Sequence, residues 1–352
     1  MSSRRPALTA ITAAAATAAA WEIQRRRDRA AVEADPEHAL FHRPLQGRPQ
    51  TVTGDDGTTL HAETFGPQDA PTIVLAHGWT CQIRFWTRQI HDLARDFRVV
   101  AYDQRGHGRS GRAPSDDYRI ERFGADLNAI LQACVPDGRK AVVAGHSLGG
   151  MSIVSYAGLY AGEVADRVAA AALVNTGMGD LIQKSLVVPV RTPVAKLEQR
   201  IGAAALSAPL PLPSGPTPLA HRAVKYVALS ADATPAQVGF SEELVIDCRP
   251  DVRGAIGGAL TRLDLHAAVE RLDVPTLVIA GDRDRLTPPE HAERLHAELP
   301  RPAGLVRMPG GHMGPIEHAD EVTRVLRDLA TTHLGEATDG PREQKAERLP
   351  DR

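Results

Sequence analysis

The chain has too few cysteines to carry a disulfide framework. Its three, Cys81, Cys134 and Cys248, stand far apart and form no C-x-x-C pair, which removes a thiolate zinc site as well. Each reads as a small buried apolar residue. An excess of one charge is also missing. Against 41 Lys and Arg stand 43 Asp and Glu, a formal net charge of -2, so there is no basic surface for nucleic acid. No internal repeat is visible, and the histidines show no metal-ligand spacing. Neither a metal nor a cofactor is expected. What the chain does have is bulk: at 352 residues, 43% apolar and 24% charged, it can bury the core of an ordinary globular protein.

Long apolar runs are nearly absent too. The one candidate, Ala7 to Trp21, is rich in Ala and Thr, follows Arg4 and Arg5, and precedes Arg25-Arg26-Arg27-Asp28-Arg29. As a helix it would span about 22 Å, against a hydrocarbon core of roughly 30 Å. Three readings stay open: a membrane-associating anchor, a signal peptide cut near Ala18-Ala19-Ala20, and an exposed Ala-rich helix. The downstream arginines oppose export, and if the run inserts they favour a cytoplasmic main domain. The expectation is a cytoplasmic chain whose only route to a membrane is residues 7–21, with export left open.

From about Thr51 short apolar runs alternate with helical patterns. Thr72 to Ala76, Val99 to Tyr102, Ala141 to Ala144, Ala169 to Val174, Thr276 to Ala280 and Gly304 to Met308 read as strands apolar on both faces, which suits a mostly parallel sheet covered by helices. Between them lie helical patterns over Gln82 to Arg95, Arg119 to Cys134, Gly149 to Gly162, Pro289 to Glu298 and Asp320 to His333. The implied fold class is α/β with right-handed crossovers. From Thr176 to about His266 the alternation stops. No strand is recognisable there, and a proline-rich link runs from Pro209 to Pro218. The expected division is an N-terminal segment (1–50), a first core part (51–175), a helical cap (176–265), a second core part (266–334) and a polar, disordered tail (335–352).

Within Val142-Val143-Ala144-Gly145-His146-Ser147-Leu148-Gly149-Gly150-Met151 a serine stands between two apolar runs, boxed in by glycines. A strand ending near Ala144 and a helix starting near Gly149 put Ser147 on an abrupt turn that strains its backbone. Side chains at 145 and 149 would collide there. The turn aims the Ser147 hydroxyl outward at the C-terminal edge of the sheet and leaves the Leu148 amide free at a helix N-terminus. A serine hydroxyl needs a base, and the base needs an orienting group. Two other post-strand loops offer them: Gly281-Asp282-Arg283-Asp284 and Pro309-Gly310-Gly311-His312-Met313. Asp282 and Asp284 both remain candidates on the residues alone.

The motifs Gly145-His146-Ser147-Leu148-Gly149, His77-Gly78-Trp79, Asp103-Gln104-Arg105-Gly106-His107-Gly108-Arg109-Ser110, Gly281-Asp282-Arg283-Asp284 and Gly311-His312-Met313 resemble the α/β-hydrolase superfamily, in its capped, esterase-like and haloperoxidase-like branch. The likeness covers about Thr51 to Leu334. It implies a mostly parallel central sheet flanked by helices, with a helical cap insertion. By that resemblance Ser147 is the nucleophile, His312 the general base and Asp284 the orienting acid, three residues after the glycine, which leaves Asp282 to a turn or a salt bridge. Asn175 stands where some relatives carry the acid. His77-Gly78-Trp79 would set the Trp79 amide opposite that of Leu148 as an oxyanion hole.

The other features have plainer readings. Gly78 reads as a turn residue at positive φ, Trp79 as pocket wall, and Phe85 and Trp86 as pocket or core. Asp103 to Ser110 lacks a P-loop lysine and reads as a structural turn held by Asp103 and Arg105. His107, His146, His266, His291 and His318 have no partner in sight and default to surface or core. Leu181, Ile182, Leu186, Val187 and Val188 read mainly as cap core, with an apolar acyl pocket as the alternative.

The expected activity is cleavage of a small-molecule carboxylic ester, with an apolar acyl part, through an acyl-enzyme. Perhydrolysis by the same triad is the alternative, followed by a ligand-binding protein on the same scaffold and by a membrane-tethered scaffold. Oligomeric state is open.

Overall fold

The computed structural model describes residues 4–187 and 215–335, with 204, 207–209, 212 and 213. At its centre is an eight-stranded sheet, in the order β1-β2-β4-β3-β5-β6-β7-β8. Its strands are β1 (Arg48–Thr53), β2 (Thr59–Phe65), β3 (Thr72–Ala76), β4 (Arg98–Asp103), β5 (Ala141–His146), β6 (Val168–Val174), β7 (Thr276–Gly281) and β8 (Pro302–Met308). The six expected strands are β3 to β8, and all their mutual pairings are parallel. β1 and β2, which no apolar run announces, form a hairpin joined antiparallel to β4. Only Val52 of β1 is buried, so that edge strand carries no hydrophobic signature. Each edge strand includes a proline, Pro49 or Pro302, a residue that cannot complete a ladder on both sides.

The central strands are buried on both faces because helices cover both. In β5, Ala141 and Val143 belong to one core, with Phe123 and Val154 from the helices Ile120–Cys134 and Leu148–Leu159. Val142 and Ala144 belong to the other, with Ile90 and Leu326 from the helices Thr87–Leu93 and Ala319–Leu334. The two-residue period of a strand produces this division. The expected helix from Gln82 to Arg95 is instead a 3₁₀ turn, Ile83–Trp86, leading into Thr87–Leu93. Asp103 Oδ1 accepts the Ile83 amide at 2.8 Å and fixes where that turn begins. The helix at the serine starts one residue earlier than expected, at Leu148, and yields after Leu159 to a separate helix, Ala161–Arg167.

Between β6 and β7 lie the helices Leu181–Lys184, Pro218–Ala228, Pro235–Asp247, Pro250–Leu260 and His266–Val269. Among the described residues the block holds no strand, only the isolated bridge Gly179–Asp264. Its three longer helices each start with proline, whose missing N–H costs nothing at that position. Leu181 packs against the core, whereas Leu186 is 51% exposed and does not serve as core. Val188, the Ile182 side chain, part of the proline-rich link and the tail from 336 lie outside the described residues. All three cysteines are buried and free.

The N-terminal helix runs unbroken from Arg4 to Ala34, through the arginine cluster. Arg25 and Arg26 both pair with Glu22, and Arg29 pairs with Glu33, so these three charges are matched along the helix itself. Its last turns pack on the helical block. Asp28 pairs with Arg222 at 2.9 Å, and Val32 lies so near Gly239 that a Cβ there would sit 2.8 Å from its Cγ1. Asp35 accepts the Ala236 amide, and Glu37 accepts from Thr234 Oγ1 and Gln237 Nε2. Two carboxylates thus sit at the positive end of the helix Pro235–Asp247. Among the described residues, no helix is long and apolar enough to cross a membrane.

Candidate active site

Ser147 joins β5 to the helix Leu148–Leu159 with φ 50° and ψ -114°. Such a conformation costs a non-glycine residue about 1–3 kcal/mol and persists only where the surroundings enforce it. Here they do. The Ser147 amide donates to Val174 O at 2.9 Å, and its carbonyl accepts from Thr176 Oγ1 at 2.8 Å. A Cβ on Gly145 would lie 2.3 Å from the carbonyl carbon and oxygen of Gly149, and one on Gly149 would lie 2.2 Å from Ala76 O. The expected collision is therefore between backbones, and glycine is the only residue that avoids it.

β3 ends beside this turn and delivers His77-Gly78-Trp79. Positive φ in this loop falls on Thr80, at 66°, rather than on Gly78. Gly78 is needed for another reason: a Cβ there would sit 2.5 Å from His146 Nδ1 and 3.3 Å from the Ser147 Cβ. That close approach sets the backbone at Gly78, one residue before Trp79, against the serine turn. Among the described residues, the amides of Trp79 and Leu148 donate to no protein acceptor. The Trp79 side chain is half-buried against the core, while Phe85 and Trp86 are fully core, Phe85 lying 4.6 Å from the His146 ring.

Asp284 and His312 leave β7 and β8 at the same sheet edge. His312 Nδ1 is 2.8 Å from Asp284 Oδ2. Asp284 is 1% exposed, and its carboxylate also accepts the Leu286 and Thr287 amides, the Thr287 hydroxyl at 2.8 Å and Asn175 Nδ2 at 3.2 Å. Burial alone would raise its pKa, but the His312 ring and the Thr287 donors outweigh burial and hold the carboxyl below its usual value. An ionised carboxylate can only accept, so His312 Nδ1 donates and a neutral ring keeps Nε2 as a proton acceptor. Asp282 takes no part in this contact. It pairs with Arg307 at 2.6 Å, with 44% of its side chain exposed.

Four residues without a role in the sequence reading complete the geometry. His146 donates from Nε2 to His312 O at 2.8 Å, so the residue before Ser147 holds the histidine loop. Asn175, at φ 44°, donates to Asp284 and to Gly311 O. Thr287 braces Asp284, and Glu317 accepts the Gly311 amide at 2.8 Å. Except for Thr287, each meets a partner more than a hundred positions away or belongs to an unremarkable helix turn, so no local pattern announces it. His77 and His107 tie the loops after β3 and β4 together: His77 Nε2 accepts the Gln104 amide and His107 Nε2 accepts the Thr80 amide. Burial pushes His107 down to about 4 and His146 to about 3, and His77 lies well below its usual value, so all three are neutral.

Asp103 and Arg105 hold the turn after β4 as expected. Asp103 accepts the Ile83 and Arg109 amides, and Arg105, fully buried, makes two bonds of 2.7 Å to Asp126 and one of 2.9 Å to Asp56. Burial opposes the guanidinium charge, yet the two carboxylates raise its pKa and keep it protonated. His266 pairs with Glu298, and His291 is buried. Among the described residues, no group of three or more His, Cys, Asp or Glu side chains is placed to hold a metal.

A family model described as "Alpha/beta hydrolase family" matches residues 73–325. A non-heme chloroperoxidase from Streptomyces lividans is 30% identical over 285 residues, which cover 77% of this chain and 95% of that protein. A bifunctional esterase/perhydrolase from Acinetobacter calcoaceticus is 28% identical, covering 78% of this chain and 97% of the relative. Among solved structures, an enol-lactonase from Burkholderia xenovorans LB400 superposes with a TM-score of 0.62 at 26% identity, covering 80% of this chain and 100% of that one.

Proposed function

From the premise that the chain belongs to the alpha/beta hydrolase family, we propose that it is a serine hydrolase cleaving a carboxylic ester through an acyl-enzyme. Ser147 Oγ attacks the ester carbonyl while His312 Nε2 takes the proton. Asp284 orients His312 and stabilises the imidazolium. The carbonyl oxygen becomes an oxyanion between the Trp79 and Leu148 amides, each worth about 3–4 kcal/mol in comparable sites. Collapse expels the alcohol, which leaves with the proton held by His312. Water then repeats the attack on the acyl-enzyme, giving a proton to His312, which passes it to Ser147 Oγ as the bond between the acyl group and the serine breaks and the acid is released. The substrate is a small ester with an apolar acyl part, and the helices between β6 and β7 act as the cap that selects it. No step calls for a cofactor.

The observation that carries this reading is the backbone of Ser147, held in strain against Gly78 and followed by the Leu148 amide, which donates to nothing in the described protein. The names of two relatives, the chloroperoxidase and the esterase/perhydrolase, favour a second reading on the same residues. In it, hydrogen peroxide replaces water at the acyl-enzyme and leaves as a peracid. Both are tested with p-nitrophenyl esters of increasing acyl length, with and without peroxide. Saturable hydrolysis by the parent, and a fall of about 1,000-fold or more in Ser147→Ala, are expected. A Ser147→Ala variant as fast as the parent would refute the mechanism. Peracid formation competing with hydrolysis would select the second reading.

A further inference from the structure

The base of the helical block is bonded to both loops that carry the acid and the histidine. Ala228 O, at the end of the helix Pro218–Ala228, accepts the His312 amide at 2.8 Å and the Met313 amide at 3.2 Å. Arg283 and Arg285, which flank Asp284, reach the same segment. Arg283 pairs with Asp232, and Arg285 Nη1 donates to Tyr226 O at 2.8 Å. Contact is close enough that a Cβ on Gly311 would lie 2.6 Å from the Leu229 carbonyl carbon. Joining the two segments is one carboxylate, Glu317, in the short helix Gly314–Glu317. Its Oε1 accepts the Gly311 amide and its Oε2 the Ser230 amide, both at 2.8 Å.

We infer that Glu317 is a positioning residue, a clamp that locks the base of the cap to the histidine loop and thereby holds His312 in its working place. The inference rests on the serine-hydrolase reading above. Glu317 touches neither Ser147, Asp284 nor the His312 ring in any hydrogen bond of the described structure, so its effect passes through the backbone at Gly311. A carboxylate is suited to the place because both partners are N–H donors and it offers only acceptors. An amide does not fit. Gln at 317 would satisfy one donor with its oxygen and set its own N–H group against the other.

The arrangement assigns an unequal role to the cap. Its Tyr226–Asp232 end is the part bonded to the acid and histidine loops.

The test uses the full chain, Glu317→Gln and Glu317→Ala, with amide hydrogen exchange read by mass spectrometry and steady-state ester hydrolysis. In the parent, the amides of Ser230, Gly311 and His312 should exchange slowly. In both variants, exchange should rise together in the segments around 228–233 and 309–314. Turnover should fall by about 10-fold or more while KM stays within about twofold, because the loss is in alignment rather than binding. Fast exchange at these amides in the parent, or unchanged exchange in the variants, would overturn the clamp. Raised exchange with unchanged turnover would leave Glu317 a stability residue and overturn its positioning role. An inactive parent would sink the hydrolase reading itself, an outcome separate from any behaviour of the variants.

Discussion

Mild acid should weaken this fold steeply, and three buried histidines set the amount. His77, His107 and His146 are at most 1% exposed, and all are neutral in the fold. Burial is the leading cause for each; His107 adds to the shift at His77, and His312 to that at His146. In the unfolded chain each would bind a proton near its ordinary pKa of about 6.5. Between that value and the folded values of about 4 for His107 and about 3 for His146, the unfolded state holds more protons, so stability rises with pH and falls on acidification. Taking pH from about 7.5 to about 5.5 costs about 1.4 kcal/mol per histidine, or about 4 kcal/mol for three. Asp126 works the other way. Burial lifts its carboxyl to about 6, and protonating it in the fold returns a little under about 1 kcal/mol over the same range. The expected net loss from these four groups is about 3 kcal/mol, and His291, whose pKa burial also lowers, adds to it. Urea unfolding at the two pH values and one ionic strength, followed by tryptophan fluorescence and circular dichroism, measures it. A loss smaller than about 1 kcal/mol would refute the assignment of three neutral buried imidazoles.

Other substitutions separate the roles of neighbouring residues. Asp284→Asn should lower turnover by about 10⁴-fold, while Asp282→Asn, which loses only an exposed pair with Arg307, should leave turnover unchanged and stability within about 0.5 kcal/mol. Gly78→Ala puts a methyl 2.5 Å from His146 Nδ1, and displacing the Trp79 amide should cut kcat/KM by about 100-fold in a protein whose circular dichroism is normal. Arg105→Lys cannot reproduce the two-pronged contact with Asp126, and urea titration should show a loss of about 3 kcal/mol or more. Gly149→Ala, blocked by Ala76 O at 2.2 Å, should yield little folded protein, whereas Gly162→Ala, with nothing within 4 Å, should raise stability by about 0.5–1 kcal/mol in a thermal melt.

The sequence discloses this fold wherever burial is two-sided. β3 and β5 are continuous apolar runs because helices cover both their faces, and a glycine-boxed serine after such a run has few structural alternatives. β1 is hidden for the opposite reason. Its residues, Arg48 to Thr53, face solvent almost throughout, and its place is set by pairing with β2. Spacing from Gly281 separated Asp284 from Asp282 only through resemblance to a family, and the residues alone left both open. The supports of the site were beyond reach. His146 meets a carbonyl 166 positions later, and Asn175 a carboxylate 109 positions later. Gly78 illustrates a wrong reason for a correctly chosen residue: the pattern suggests positive φ, and the structure shows an imidazole pressed against the place of its missing side chain. Nor did composition reveal that the N-terminal helix ends as a brace on the helices between β6 and β7, since Asp28, Asp35 and Glu37 find partners about two hundred positions along the chain.

The central claim is that Ser147 is an activated nucleophile. The parent and Ser147→Ala proteins would be incubated with a fluorophosphonate and their intact masses measured, with peptide mapping of any adduct. The account predicts one adduct on the parent, at Ser147, and none on the variant, with labelling of His312→Ala slower by at least about 100-fold. A folded parent that takes no label, or a label that persists in Ser147→Ala, would contradict it.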